Sequence, residues 1–197
     1  MRIGILGGTF NPPHRGHLAC AGQARAQLGL DTILLVVAAR PPHKEVPEDP
    51  GVAHRLAMCR LAAGTADWVS VSDVEVERAG PSYTITTLRE INARRPGDEL
   101  ILILGGDMAA SLSTWEEPEA ILGLAGLAVA ERPGMSRESV LEQLGTLPGG
   151  DRAVFLDMPR LGVSSTLVRA EARAGRPIRH LVPDQVADYI EERRLYA

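Results

Sequence analysis

A chain of 197 residues is long enough to bury one α/β core and short for two domains. With 45% hydrophobic and 23% charged residues its composition is that of an ordinary globular protein, and a formal net charge of −4 argues against generic nucleic-acid or membrane-surface binding. No apolar run reaches the roughly 18 residues that span a bilayer, and Cys20 and Cys59 form neither a CxxC pair nor a disulfide framework. The opening residues enter an apolar strand at once, without the basic region, long apolar run and cleavage site of a secretory signal, so a cytoplasmic protein is expected.

Taken in chain order, a strand is predicted over Ile3 to Leu6, then a helix near residues 15 to 28, ended by Gly29. A strand over Ile33 to Ala38 leads into Pro41 to Gly51, whose prolines at 41, 42, 47 and 50 predict a surface loop of the kind that often carries function. Further strands are predicted over Trp68 to Val71, Leu100 to Leu104, Leu127 to Ala130 and Val154 to Leu156. Helices are predicted near 52 to 63, 83 to 94, 117 to 122, 137 to 144 and 165 to 174. A last helix begins at Pro183 and Asp184, with Val186, Tyr189 and Ile190 on one face. Short apolar strands alternating with helices predict an α/β fold: a Rossmann-like, doubly wound parallel sheet with helices on both faces and a short C-terminal helical extension. The expected organisation is a single domain over residues 1–197, with about 164–197 as a helical part packed on it.

Chemistry concentrates in a few turns. After the first strand come Gly7, Gly8, Thr9, Phe10, Asn11, Pro12 and Pro13, then a helix from His14 or Arg15. Glycines there admit unusual backbone conformations and close ligand approach, and the amides of the helix start, at the positive end of its dipole, make an anion site. His14 and His17 share a helical face, and Gly16 keeps the space between them open. Neither a Walker A loop nor GxGxxG is present. Alone, the glycine pair reads as a turn and the two histidines as a surface pair or metal site; their meeting at one strand-to-helix turn points to phosphate.

Val163 to Arg169 offers Ser164, Ser165 and Thr166 as a helix cap and hydroxyl donors, with the Arg169 guanidinium about one turn on. Gly105, Gly106 and Asp107 close the fourth strand, where backbone can approach a ligand, Asp107 can accept from a ribose hydroxyl, and Trp115 offers a flat face. Ser82 is placed to cap the helix carrying Ile85, Leu88 and Ile91. Among 21 basic residues Lys44 is the sole lysine, which draws attention to Pro41-Pro42-His43-Lys44.

Gly7 to His17 resembles the GGTF-D-P-x-H-x-G-H signature of the class I nucleotidyltransferase superfamily, and Val163 to Arg169 resembles its ISSTxIR signature. Asn11 departs from the common Asp, keeping a turn-forming side chain without the charge. Pro41 to Lys44, Pro81-Ser82-Tyr83-Thr84, Gly105 to Asp107 with Trp115, and Glu131-Arg132-Pro133-Gly134 extend the likeness over essentially the whole chain. They match the bacterial nicotinate mononucleotide adenylyltransferases, although Glu131 departs from the frequent RRPG.

The resemblance implies adenylyl transfer from ATP to nicotinate mononucleotide in NAD biosynthesis, with Mg2+ arriving on ATP and no metal-ligating residues in the protein. It implies ATP contacts from Gly7, Gly8, Thr9, Phe10, His14, His17, Gly105, Asp107, Ser164, Ser165, Thr166 and Arg169. Mononucleotide contacts would come from His43, Lys44, the backbone near Tyr83 and Thr84, Trp115 and Arg132. His14, His17, Lys44 and Arg169 would stabilise charge on the transferring phosphates. No nucleic-acid or membrane partner is expected, and nothing in the sequence opposes a homo-oligomer. Rival readings are the same transfer to nicotinamide mononucleotide or phosphopantetheine, a metal-dependent hydrolase that would need a third ligand beside the histidines, and a non-catalytic nucleotide sensor.

Overall fold

The structure, a computed structural model, describes residues 1–41, 46–64, 66–131 and 136–197. Its frame is a six-stranded, all-parallel sheet of order β3-β2-β1-β4-β5-β6. In chain order the elements are β1 (Arg2–Gly8), α1 (Arg15–Leu28), β2 (Thr32–Val37), α2 (Val52–Ala63), β3 (Val69–Ser72), α3 (Val74–Glu77) and α4 (Thr84–Arg94). There follow β4 (Glu99–Gly105), α5 (Gly106–Ala110), α6 (Pro118–Leu124), β5 (Ala125–Ala130), α7 (Arg137–Leu144), β6 (Val154–Leu156), α8 (Ser165–Arg173) and α9 (Asp184–Glu192). Every predicted strand is present. The helices that the sequence pattern did not signal, α3 and α5, are single short turns, too brief to show a helical period.

Strand periodicity fills two cores at once. Ile3, Ile5, Leu34, Val36, Leu100, Leu102, Leu104, Leu127 and Val129 pack on one face, with α4 and its neighbours. Leu6, Ile33, Leu35, Val37, Ile101, Ile103 and Ala128 pack on the other, with Ala21 and Ala24 of α1 and Cys59 of α2. Side chains of successive strand residues point to opposite faces, so a strand covered on both sides has to be apolar throughout. A third cluster joins α8 and α9 to Met58 and Ala62 of α2 through Val168, Val182, Val186, Ala187 and Ile190. No helix among the described residues is long and apolar enough to cross a membrane.

Order 3-2-1-4-5-6 puts the reversal of winding between β1 and β4, and the crevice beyond the carboxyl ends of those strands is where such sheets receive ligands. The loops after β1 and β4 flank that crevice.

Burial on the α1 and α2 side has a consequence for pH. Cys59 is fully buried while Cys20 is only half-buried. Desolvation pushes the Cys59 thiol up to about 12, opposed only weakly by the Arg55 charge. Burial likewise pushes up the Tyr196 phenol. Both groups stay protonated in the fold while the unfolded chain ionises above about pH 9 to 10. Their stabilisation is therefore complete below that range and is lost as pH climbs towards the folded values, by about 1.4 kcal/mol per pH unit for the thiol. The urea midpoint is expected to fall between pH 8 and pH 10.5 and to fall less in Cys59→Ala; an equal fall in that variant would contradict the assignment.

Candidate active site

Gly7 and Gly8 end β1, and neither has the positive φ for which a glycine pair is usually kept. The left-handed residue is Phe10, at φ 48°, with its ring 1% exposed. A Cβ on Gly8 would stand 3.2 Å from that ring and press on it, so the preference for glycine at Gly8 comes from Phe10 rather than from its own backbone. Phe10 in turn meets the edge of the His17 ring, centroids 4.9 Å apart. Beyond a cis Asn11–Pro12 bond, His14 takes the N-cap position of α1.

The two histidine rings stack, with centroids 3.7 Å apart and planes 23° from parallel. His17 Nδ1 accepts the backbone N–H of His14 at 3.1 Å, so a neutral His17 carries its proton on Nε2 and presents that edge as a donor. Gly16 is fixed by crowding: a Cβ there would lie 3.0 Å from His14 Nδ1 and 3.1 Å from Val163. The helix start thus touches the second motif at a position where a Cβ would press on both His14 and Val163.

That second motif closes on the first. Ser164 caps α8, accepting the Leu167 N–H at 3.1 Å, and Ser165 Oγ donates to the Pro12 carbonyl at 2.9 Å. Arg169, 6% exposed, donates from Nη1 to the Asn11 carbonyl and from Nε to Glu48, each at 2.9 Å. Glu48 also pairs with Arg173 at 2.5 Å, and Arg173 first, then Arg169, holds its carboxylate below the usual range. Asn11 uses both ends of its amide: Nδ2 donates to the Pro47 carbonyl at 2.8 Å, and Oδ1 accepts from the Tyr196 hydroxyl at 2.7 Å. An Asp at this position has no donor for Pro47, which gives the departure from the common residue a physical reason in this chain.

The loop after β2 is held from below by Arg55 of α2, which is 0% exposed. It donates to the carbonyls of Thr9 at 2.9 Å, Ala38 at 2.6 Å and Ala39 at 3.4 Å, and to Asp49 at 2.9 Å. Ser82 does not cap α4. Its hydroxyl accepts the backbone N–H groups of Ala39 and Arg40, both at 3.0 Å, and the N-cap residue is Tyr83, which makes no side-chain cap. The cap assignment fails because the neighbouring loop offers Ser82 two amides at once. The Tyr83 amide turns back to Pro81 at 3.0 Å, while Thr84 begins α4 and so carries an amide with no acceptor inside the helix.

On the other side of the crevice Gly105 ends β4, and Asp107 lies exposed in the first turn of α5. Trp115 packs half-buried on the α4-side core, its indole N–H donating to Ser111 Oγ at 3.3 Å. His43, Lys44 and Arg132 lie outside the described residues. Sequence reasoning missed Arg55, Glu48 and Tyr196. Arg55 was signalled only by its phase: it shares a helical face with Cys59 and Ala62, where an apolar residue is normal.

A parallel sheet of this order, with a His-x-Gly-His helix start and a capped Ser-Ser-Thr helix meeting at the switch point, defines a nucleotidyltransferase of the α/β class. The chain belongs to the cytidylyltransferase-like family, whose sequence model matches residues 5–171. A "Probable nicotinate-nucleotide adenylyltransferase" of Geobacter sp. strain M21 is 42% identical over an alignment covering 100% of this chain and 98% of the relative. One of the same description from Thermus thermophilus is 44% identical, with 100% of each chain covered. Among solved structures, a Plasmodium falciparum nicotinic acid mononucleotide adenylyltransferase complexed with NaAD superposes with a TM-score of 0.80. That match covers 99% of this chain and 97% of the other at 20% identity, which speaks to the fold.

Proposed function

We infer that the chain is a nicotinate-nucleotide adenylyltransferase, moving AMP from ATP to nicotinate mononucleotide and releasing pyrophosphate. The observation that carries this reading is the junction of Ser165 and Arg169 with the Pro12 and Asn11 carbonyls, in a chain whose full-length relatives bear that name.

In the proposed reaction a phosphate oxygen of the mononucleotide attacks the α-phosphorus of ATP, the bond to the bridging oxygen breaks, and pyrophosphate leaves. The attacking phosphate is already anionic, so the protein needs no covalent nucleophile; alignment and charge stabilisation carry the rate. His17 Nε2, His14 and the amides after β1 are proposed to meet the triphosphate of ATP, with Ser164, Ser165 and Thr166 on the opposite side. Gly105 and Asp107 are proposed at the ribose. Tyr83, Thr84 and Trp115 are proposed to hold the nicotinate end, where α4's first amides suit a carboxylate. His43, Lys44 and Arg132 keep the phosphate-binding roles that the resemblance implies.

Among the described residues no group of three or more His, Cys, Asp or Glu is arranged to hold a metal ion. Mg2+ is proposed to arrive as part of ATP, where it would offset charge on the phosphate oxygens. Acceptor choice is tested by pyrophosphate release with ATP and, in turn, nicotinate mononucleotide, nicotinamide mononucleotide and phosphopantetheine. A clear preference for nicotinate mononucleotide is expected, and a preference for either other acceptor would overturn the assignment.

A further inference from the structure

Both loops that flank the crevice on the β1 and β2 side rest on one buried cation. In a trans peptide the carbonyl and the following N–H point in opposite directions. Arg55 takes the carbonyls of Ala38 and Ala39, and the amides that follow, those of Ala39 and Arg40, point the other way, where Ser82 Oγ receives both at 3.0 Å. Those two peptides are clamped from opposite faces. The Thr9 carbonyl is drawn to the same guanidinium at 2.9 Å, so the Phe10 amide likewise points away from Arg55. Asp49 completes the arrangement, accepting Arg55 Nε and the Gly51 N–H, each at 2.9 Å.

Burying a guanidinium to 0% exposure with a single carboxylate partner is costly unless its donors are used, and here they are used on the backbone of two loops. We propose that Arg55 is a positioning residue for adenylyl transfer: it sets the Phe10 amide on the ATP side and the Ala38–Arg40 peptides on the mononucleotide side, with Ser82 closing the second clamp. The assignment of the two sides rests on the adenylyltransferase reading. Lysine keeps the charge but carries one donor atom on a shorter stem, so it cannot make the Nη1 contacts to Thr9 and Ala38 together with those that Nε and Nη2 make to Asp49 and Ala39.

The test compares Arg55→Lys and Ser82→Ala with the parent, measuring ATP Kd by calorimetry without acceptor and KM for each substrate in turnover. Arg55→Lys is expected to weaken ATP binding and to raise the mononucleotide KM, each about tenfold, the scale of one charge-assisted hydrogen bond. Ser82→Ala is expected to raise the mononucleotide KM by about fivefold, for loss of neutral hydrogen bonds, and to leave ATP Kd unchanged. A fall in melting temperature with Kd and both KM values unchanged would make Arg55 merely structural and overturn the proposal. Equal shifts for both substrates in Ser82→Ala would do the same. If Arg55→Lys does not fold, Ser82→Ala decides by its selectivity alone. Should the parent bind ATP yet form no dinucleotide, the adenylyltransferase reading fails, while the ATP arm still stands or falls on the Arg55→Lys Kd.

Discussion

A His17→Ala variant is expected to fold and to turn over about 10²- to 10³-fold more slowly than the parent, the scale of losing one preorganised donor. Two roles have to be separated. His17 Nδ1 satisfies the His14 N–H at the start of α1, and losing such a cap costs about 1 kcal/mol of stability. That leaves a marginally less stable enzyme, not one slowed a hundredfold. The rate effect belongs to the Nε2 edge, whose proton the Nδ1 contact dictates. His17→Asn separates the roles, because Asn can still accept the His14 amide but is too short to reach as far as the imidazole. It should recover stability in urea without recovering steady-state turnover. A folded His17→Ala with parental turnover would remove His17 from the mechanism.

Arg169→Ala is the second large effect. Deleting one partner of a fully buried ion pair costs about 3–5 kcal/mol, but Glu48 is 39% exposed and keeps Arg173. What is left unsatisfied is the Asn11 carbonyl, so a stability loss of about 1–3 kcal/mol is expected. Activity should suffer more. Arg169 fixes the turn between Phe10 and His14, and a misplacement of about 1 Å in such a loop costs on the order of 10²-fold. Turnover and urea unfolding, measured together, check both numbers. Turnover within threefold of the parent would show that the phosphate loop holds its shape without the Arg169 contact.

The sheet was legible because the inner strands, covered on both faces, are apolar along their buried stretch, while the outer β3 and β6 stand out as short runs between helical patterns. The two signature turns were legible because their side chains act within three or four residues of each other, as in His14 with His17 and Ser164 with Leu167. What joins them was not. Tyr196 reaches Asn11 across 185 residues, Ser165 reaches Pro12 across 153, and Arg55 reaches Thr9 across 46. No local period encodes such contacts. Ser82 was misread for the same reason, since a serine before a helix looks like a cap until the neighbouring loop supplies better donors. The glycine pair after β1 was read as conformational freedom, yet the unusual φ belongs to Phe10 and Gly8 only makes room for its ring.

The central claim is the reaction itself, and the most direct measurement is the mass of its product. Incubated with ATP, Mg2+ and nicotinate mononucleotide, the protein is expected to form deamido-NAD and pyrophosphate in equal amounts. ATP binding with no dinucleotide from any acceptor, or hydrolysis of ATP in place of transfer, would contradict the account.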